Sequence, residues 1–231
     1  MYKNRNIIAI TGGFNEEGKI GKVITKLPKF VDEVIAIDDG STDNTAREAE
    51  LAGATVIKNH KNKGAGCVLR EGIGYALNKG YGLIVIIAGD NQDNPTEIKQ
   101  LIKPLFEGYD FVQGSRFIGT KESMPFFRLV TTRFFNLLFR KIVKSEITDA
   151  SNGFRAFSSE ILHNIDLNQE WLDRYELEPY LLIQVIKKGY KIKEVPVSKT
   201  YNQKEGYSKM KPVIDWYRIC RPLLKELFDH N

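Results

Sequence analysis

Val34-Ile35-Ala36-Ile37-Asp38-Asp39-Gly40-Ser41-Thr42-Asp43 is the stretch whose reading decides the fold. Four apolar, largely β-branched residues read as a buried strand, and the run breaks at once into two carboxylates and a glycine. Gly40 permits a turn there, and Ser41 or Thr42 can cap a helix from Asn44 to Leu51. Carboxylates at the carboxyl end of a parallel strand stand where open α/β sheets bind ligands. The same string is also an ordinary turn and cap, so the flanking sequence has to decide between the two.

Upstream, Ile7 to Ile10 forms a short apolar strand, followed by Thr11-Gly12-Gly13-Phe14-Asn15-Glu16-Glu17 and an amphipathic helix to about Leu27. The two glycines do not continue into G-x-G-x-x-G. Asn15-Glu16-Glu17 also puts negative charge where a pyrophosphate needs bare amides, which argues against a dinucleotide enzyme. Downstream, a third strand is predicted at Ala54–Lys58. The basic loop His60–Gly66 then opens a helix to about Asn78; Lys63, Gly64 and Arg70 can meet phosphates there, or the loop is a solvated connection. Leu83–Ala88 is the most hydrophobic strand, and is expected to be central and buried on both faces. It ends in Gly89-Asp90-Asn91-Gln92-Asp93-Asn94-Pro95, a dense set of oxygen ligands suited to Mg²⁺ or Mn²⁺. Asp93 or Asn94 is expected to cap the next helix, which leaves Asp90 as the better metal ligand. Phe111–Gly114 makes a fifth strand ending at Ser115-Arg116. The alternation predicts an α/β fold: a Rossmann-like, doubly wound, mostly parallel sheet flanked by helices.

The chain has 231 residues, with 42% hydrophobic and 27% charged, enough for one large domain, or for one domain with an appendage. A formal charge of +5 suits an anionic ligand or anionic lipid, and none of the usual nucleic-acid signatures accompanies it. Cys67 and Cys220 lie far apart with no metal spacing, so a reducing cytosol is the expected setting. The polar amino terminus lacks a signal-peptide core. No apolar run approaches the roughly 20 residues needed to cross a bilayer.

With these residues in hand, the chain resembles the family 2 glycosyltransferases of the GT-A fold, above all the dolichyl-phosphate mannosyltransferases and other polyprenyl-phosphate glycosyltransferases. The likeness covers roughly residues 7 to 212. It rests on Phe14-Asn15-Glu16, Asp38-Asp39-Gly40-Ser41-Thr42-Asp43, Asn62-Lys63-Gly64, Gly89-Asp90-Asn91-Gln92-Asp93, Gly114-Ser115-Arg116, Asp149 with Gly153-Phe154-Arg155, and Gly206-Tyr207-Ser208-Lys209, in the family's order. The resemblance implies that Phe14, Glu16, Asp38 and Asp39 line the pocket for the base and ribose of a UDP- or GDP-linked sugar. It implies that Asp90 and Gln92 hold the divalent metal, and that Arg116, Ser208 and Lys209 meet phosphates. Two positions depart from the family: Gly12 replaces a usual proline, expected only to loosen that turn, and Ala88 replaces the first carboxylate of D-x-D.

The organisation expected is a transferase domain over 1–211, divided into a nucleotide-sugar half (1–118) and an acceptor half (119–211), with a C-terminal amphipathic helix over 212–231. Pro125–Lys144 reads as a helix in which Arg128, Thr132, Asn136 and Arg140 drift along one face, extended by Arg133 and Lys144. Phe127, Val130, Phe134, Leu137 and Leu138 fall mainly on the other side. The helix is either an ordinary surface helix packed on the sheet or an interfacial one touching lipid. In the resembling family an arginine and a hydroxyl residue four apart hold the lipid phosphate, and Arg128 and Thr132 match that spacing. Tyr201–Lys211 is a candidate lid, and Pro222 is expected to kink the last helix.

A polyprenyl phosphate is already anionic and needs cations; a hydroxyl acceptor needs a base, for which Asp149, Glu176 and Glu178 are candidates. The leading expectation is therefore inverting, metal-dependent transfer to a polyprenyl phosphate by a peripheral enzyme on the cytosolic membrane face. A membrane-protein partner or a homodimer is possible. The alternatives are a saccharide or lipid hydroxyl acceptor, and a binding module that has lost its chemistry at Ala88.

Overall fold

Strand β1 (Ile7–Gly13) opens the chain of the computed structural model, which describes residues 5–119, 124–201 and 212–229. There follow α1 (Ile20–Thr25), β2 (Glu33–Asp38), α2 (Thr45–Leu51), β3 (Thr55–Lys58), α3 (Ala65–Asn78), β4 (Leu83–Ile86), α4 (Ile98–Leu105) and β5 (Phe111–Ser115). The second half adds α5 (Phe126–Val143), β6 (Arg155–Ser158), α6 (Leu177–Lys187), β7 (Ile192–Pro196) and α7 (Pro212–Asp229).

The seven strands form one sheet in the order β3-β2-β1-β4-β6-β5-β7. All pairings are parallel except those of β6, which runs antiparallel between β4 and β5. The carboxyl ends of the other six strands therefore share one edge. β4 sits in the middle with all four residues buried, as its unbroken hydrophobicity requires. β6 was not anticipated. Its sequence, Arg155-Ala156-Phe157-Ser158, carries a fully buried arginine opposite a fully buried Gln113. Nothing in that pattern reads as a central strand.

Residue alternation sorts the core into two layers. Ile8, Ile10, Ile35, Ile37, Ile84 and Ile86 face α3, α5, α6 and α7. Ile7, Leu83, Val85 and Ile87 face α4 and Val23 of α1, while Ile20, Ala36 and Ala49 close the corner by α2. Helix α7 contributes Leu223 to the larger cluster, and Trp216 packs against Phe135 of α5 with ring centroids 6.4 Å apart. It runs from Pro212 to Asp229 with Pro222 inside it.

Two local expectations need correction, and a third, the cap from Asp93 or Asn94, is narrowed to one of its two candidates. The N-cap of α2 is Asn44, without a side-chain cap; Asp43 Oδ1 accepts from the Thr45 amide at 3.0 Å, and neither Ser41 nor Thr42 caps the helix. Asn94, rather than Asp93, caps the 3-10 turn at Pro95–Glu97 by accepting from the Thr96 amide at 3.2 Å. Gly12 does not loosen a turn, because β1 continues in register with β2 through Gly13. A Cβ at position 12 would overlap the Ile37 carbonyl, so close strand contact requires glycine there.

Candidate active site

Asp38 ends β2 and Asp39 follows it, with exposures of 1% and 2%. Asp38 Oδ1 accepts from the Ser41 amide at 3.0 Å; Oδ2 lies 3.9 Å from Lys58 Nζ and accepts no hydrogen bond among the described residues. A buried oxygen of this kind suits an N–H or O–H donor from a base or ribose. Asp39 shapes the basic loop instead: its two oxygens accept from the Lys63 and Gly64 amides, each at 2.8 Å. Gly64, at φ +113°, lets those amides turn inward. Asn15 ties the first loop to this one, taking the Thr42 amide on Oδ1 at 2.9 Å and donating its own amide to Ser41 Oγ at 2.9 Å. Glu16 is buried beside Lys19, 3.1 Å away, and Phe14 is half-buried in the same loop.

The cations expected to meet phosphates here are engaged elsewhere. Lys63 Nζ donates to Glu71 at 2.7 Å and to Asn59 at 2.8 Å, and Glu71 raises its pKa. Arg70 donates to the Leu167 and Gln169 carbonyls and to the Asp173 carboxylate. It fastens α3 to the 167–173 segment, a contact that no local pattern announces.

After β4, Asn91 adopts a positive φ of 57° and Asp90 Oδ1 accepts from the Gln92 amide at 3.0 Å, so the loop curls round its own carboxylate. Asp90 and Gln92 remain half-buried, whereas Asp93 is 3% exposed. Asp93 Oδ1 accepts from Lys199 Nζ at 3.1 Å, and its Oδ2 is buried without a hydrogen-bond partner among the described residues. Burial opposes the charge of Lys199, but Asp93, and after it Asp90, raise its pKa above the usual lysine value. No three His, Cys, Asp or Glu side chains converge on a metal position among the described residues. The loop therefore fits a cation that takes a carboxylate and an amide oxygen from Asp90 and Gln92, with its other oxygens from diphosphate and water. It does not fit an all-protein cage.

On the far side, Arg116 and Asp149 form a bidentate pair, Nε to Oδ2 at 2.7 Å and Nη2 to Oδ1 at 2.8 Å. The Arg116 amide also donates to Asp149 Oδ2, and Nη2 to Ser151 Oγ. The pair is 3% and 0% exposed. Asp149, expected as a catalytic base, is thus a clamp for Arg116. Glu194 supports it by accepting from the amides of Thr148 and Asp149, and its own pKa is raised by burial. Arg116 Nη1 donates to the Tyr201 hydroxyl at 2.9 Å, and the Arg128 guanidinium lies over the Tyr201 ring, 5.0 Å from its centroid. Tyr201 thereby joins two of the three arginines expected at the acceptor phosphate, the third being Arg133. Arg128 has no carboxylate partner among the described residues; Thr132 is buried behind it, and Arg133 stands exposed over the Phe117 ring. Ser208 and Lys209 lie outside the described residues.

Carboxylates past the ends of β2 and β4 and a buried arginine past the end of β5 thus stand on one edge of the sheet. The profile of "Glycosyl transferase family 2" aligns with residues 9–166. The chain belongs to glycosyl transferase family 2. It is a nucleotide-sugar-dependent glycosyltransferase. It is 31% identical over 200 residues to "Polyprenol monophosphomannose synthase" of Mycolicibacterium smegmatis, covering 83% of this chain and 74% of that protein. It is 28% identical over 227 residues to "Dolichyl-phosphate hexose transferase" of Haloferax volcanii, covering 97% and 95%. The GT-A fold is seen in glucosyl-3-phosphoglycerate synthase from Mycobacterium tuberculosis, crystallised with Mn²⁺, UDP and phosphoglyceric acid. That structure superposes with a TM-score of 0.75 at 22% identity, covering 98% of this transferase and 78% of that chain.

Sequence reasoning missed Lys199 and took Tyr201 only as the first residue of the candidate lid, the rest of which, 202–211, lies outside the described residues. Both lie just past β7, where the only signal was a polar loop.

Proposed function

We propose that the transferase moves a sugar from a nucleoside diphosphate onto a polyprenyl phosphate at a membrane surface, by a single inverting displacement. The observation that carries this reading is the outward face of α5. Phe126, Phe127, Val130, Phe134 and Leu137 stand exposed, while Thr132 and Asn136 turn inward, the reverse of a water-facing helix. At the start of that helix is Arg128, a cation without a carboxylate partner among the described residues and linked through Tyr201 to Arg116. An apolar surface leading to unneutralised arginine suits an acceptor with an isoprenoid tail and a phosphate head. The names of the mycobacterial and haloarchaeal relatives point to the same acceptor class.

The chemistry follows from charge. As the sugar–phosphate bond breaks, the sugar becomes cationic and the leaving diphosphate gains negative charge that must be stabilised. Asp90 and Gln92 would hold a divalent cation, which supplies Lewis-acid stabilisation of that diphosphate when bound. Asp38 and Asp39 fix the nucleotide end of the crevice, and Arg116 and Arg128 orient the acceptor phosphate behind the anomeric carbon. A phosphate oxygen is a nucleophile without deprotonation. This suits a site whose best-placed carboxylate, Asp149, is already taken by Arg116.

The test is a product assay with labelled UDP- and GDP-sugars, polyprenyl phosphate in detergent, and Mg²⁺ or Mn²⁺. A lipid-extractable product dependent on both phosphate acceptor and metal is expected. Nucleotide release only when saccharide acceptors are added would overturn the acceptor assignment.

A further inference from the structure

Two arginines of α5 are seated on aromatic rings. The Arg128 guanidinium lies 5.0 Å from the centroid of the Tyr201 ring, and that of Arg133 lies 6.0 Å from the centroid of Phe117. Neither has a carboxylate partner among the described residues. A carboxylate would fix a guanidinium and cancel its charge. An aromatic face fixes it through the ring quadrupole and leaves the positive charge in place for an anion. Of the two rings, that of Tyr201 is fixed at both ends. Asp149 grips Arg116 through two oxygens, at 2.7 and 2.8 Å, and Arg116 Nη1 donates to the Tyr201 hydroxyl at 2.9 Å. The backbone just before the ring is tied to the loop after β4. Residues 93 and 199 form an antiparallel bridge there, and the Thr200 amide donates to the Gln92 carbonyl at 2.8 Å. Arg128 itself stands in the first turn of an 18-residue helix that has no acidic side chain in that turn. The positive end of the helix dipole and an unneutralised cation therefore stand together, an arrangement that favours an anion beside them.

We propose that Tyr201 is a positioning residue for the acceptor: its ring holds the Arg128 guanidinium in place for the acceptor phosphate without neutralising it. The order of support runs from Asp149 to Arg116, from Arg116 to the phenol, and from the ring face to Arg128. An arginine gives up much rotamer freedom when it grips a phosphate, and a side chain already ordered on a ring does not lose that freedom again on binding. The hydroxyl sets the angle of the ring, and the ring does the holding. This role rests on the reading that the acceptor is a polyprenyl phosphate.

The experiment is a calorimetric titration of farnesyl phosphate, a short isoprenyl monophosphate, into the full chain, with farnesol, UDP and GDP as comparisons. Wild type is expected to bind farnesyl phosphate more tightly than farnesol. Tyr201→Leu should weaken farnesyl phosphate by about fivefold or more, because the ring face is gone. Its affinity for the nucleotide should stay within about twofold of wild type. Tyr201→Phe keeps the ring and should lose no more than about twofold. In an Arg128→Ala background, Tyr201→Leu should add less than about twofold, since the guanidinium that the ring supports is absent. A Tyr201→Leu loss of the same size in that background overturns the proposal, because the residue then acts through the fold. Tyr201→Phe as weak as Tyr201→Leu overturns it too, by giving the effect to the hydroxyl. So does an equal loss of nucleotide, which would move Tyr201 to the donor side. Wild type that binds farnesol as tightly as farnesyl phosphate sinks the phosphate-acceptor reading, and the role of Tyr201 with it. Preference for farnesyl phosphate with an indifferent Tyr201→Leu sinks only the role of Tyr201.

Discussion

The Arg116–Asp149 pair shows how a charged residue legible in the sequence can have an illegible role. Its position at the crevice was readable from Asp149 and Gly114-Ser115-Arg116, but not that two carboxylate oxygens would close on one guanidinium at 2.7 and 2.8 Å. Removing one partner of a buried pair strands the other. Asp149→Ala should therefore cost about 3–5 kcal/mol in denaturant unfolding, beyond any loss of rate. A variant with wild-type stability and a collapsed turnover would instead restore Asp149 as a base. A second residue-scale prediction concerns Glu33, which takes the hydroxyls of Tyr75 and Tyr81, each at 2.6 Å. Burial pushes its pKa up, but hydrogen bonds from Tyr75, Tyr81 and Thr55 outweigh that and leave it below its ordinary 4.5. The unfolded chain binds the proton more readily, so this stabilisation is fully present above the ordinary value and is lost as pH falls through the lowered one. Tyr81→Phe should cost about 1–2 kcal/mol at pH 7. The gap from wild type should narrow as pH falls below the ordinary glutamate value and through the lowered one, as chemical denaturation at several pH values would reveal.

At the scale of elements, alternation and strong apolar runs carried far: β1, β2, β3, β4 and β5 lie where hydrophobicity and turn residues placed them, give or take a few residues. What failed has physical causes. β6 is a central strand whose side chains include Arg155, buried and bonded to the Asn152 and Glu178 carbonyls, so its hydropathy denies its location. Helix α5 has a clear two-sided pattern, but periodicity does not say which side is wet. Thr132 and Asn136 face the protein, Asn136 accepting from the Ala150 amide at 3.1 Å, and the phenylalanines face out. That orientation puts Arg128 against Tyr201 and away from any described carboxylate. If this end of α5 holds the acceptor phosphate, Arg128→Ala removes a charge-assisted contact worth about 1.5–3 kcal/mol. The KM for polyprenyl phosphate should then rise by about tenfold or more, with the KM for the nucleotide sugar little changed. Steady-state kinetics with both substrates varied would decide; parallel increases would assign Arg128 to the fold or the donor.

For the molecule as a whole, the apolar surface is strongly one-sided. Apart from Leu51 and Leu77, every large hydrophobic side chain exposed among the described residues belongs to α5 or α7. On α7 these are Val213, Ile214, Tyr217, Leu224, Leu227 and Phe228, while Asp215 and Glu226 turn inward to Arg218 and Lys187. Two helices that contact each other and share this inversion make one surface, and a contiguous patch of that kind marks an interface rather than scattered exposure. No helix among the described residues is long and apolar enough to cross a membrane, so a bilayer would meet the patch from the side. Exposed Arg133, Arg140 and Lys141 on α5 would then lie near headgroup phosphates. Two forces would act together: apolar burial, insensitive to salt, and cation–headgroup attraction, screened beyond a Debye length of about 8 Å at physiological ionic strength. The protein should therefore float with vesicles of mixed neutral and anionic lipid, and raising the salt should weaken that association without abolishing it. Phe127→Ser/Phe134→Ser/Leu227→Ser should lose flotation at every salt concentration. Its melting temperature should hold, since those side chains are 73%, 62% and 45% exposed and contribute little to the core. Turnover with a short-chain acceptor in detergent should survive in that variant. Complete release of wild type by salt would reduce the surface to its charges, and a salt-resistant dimer without lipid would give the patch to a second copy of the chain.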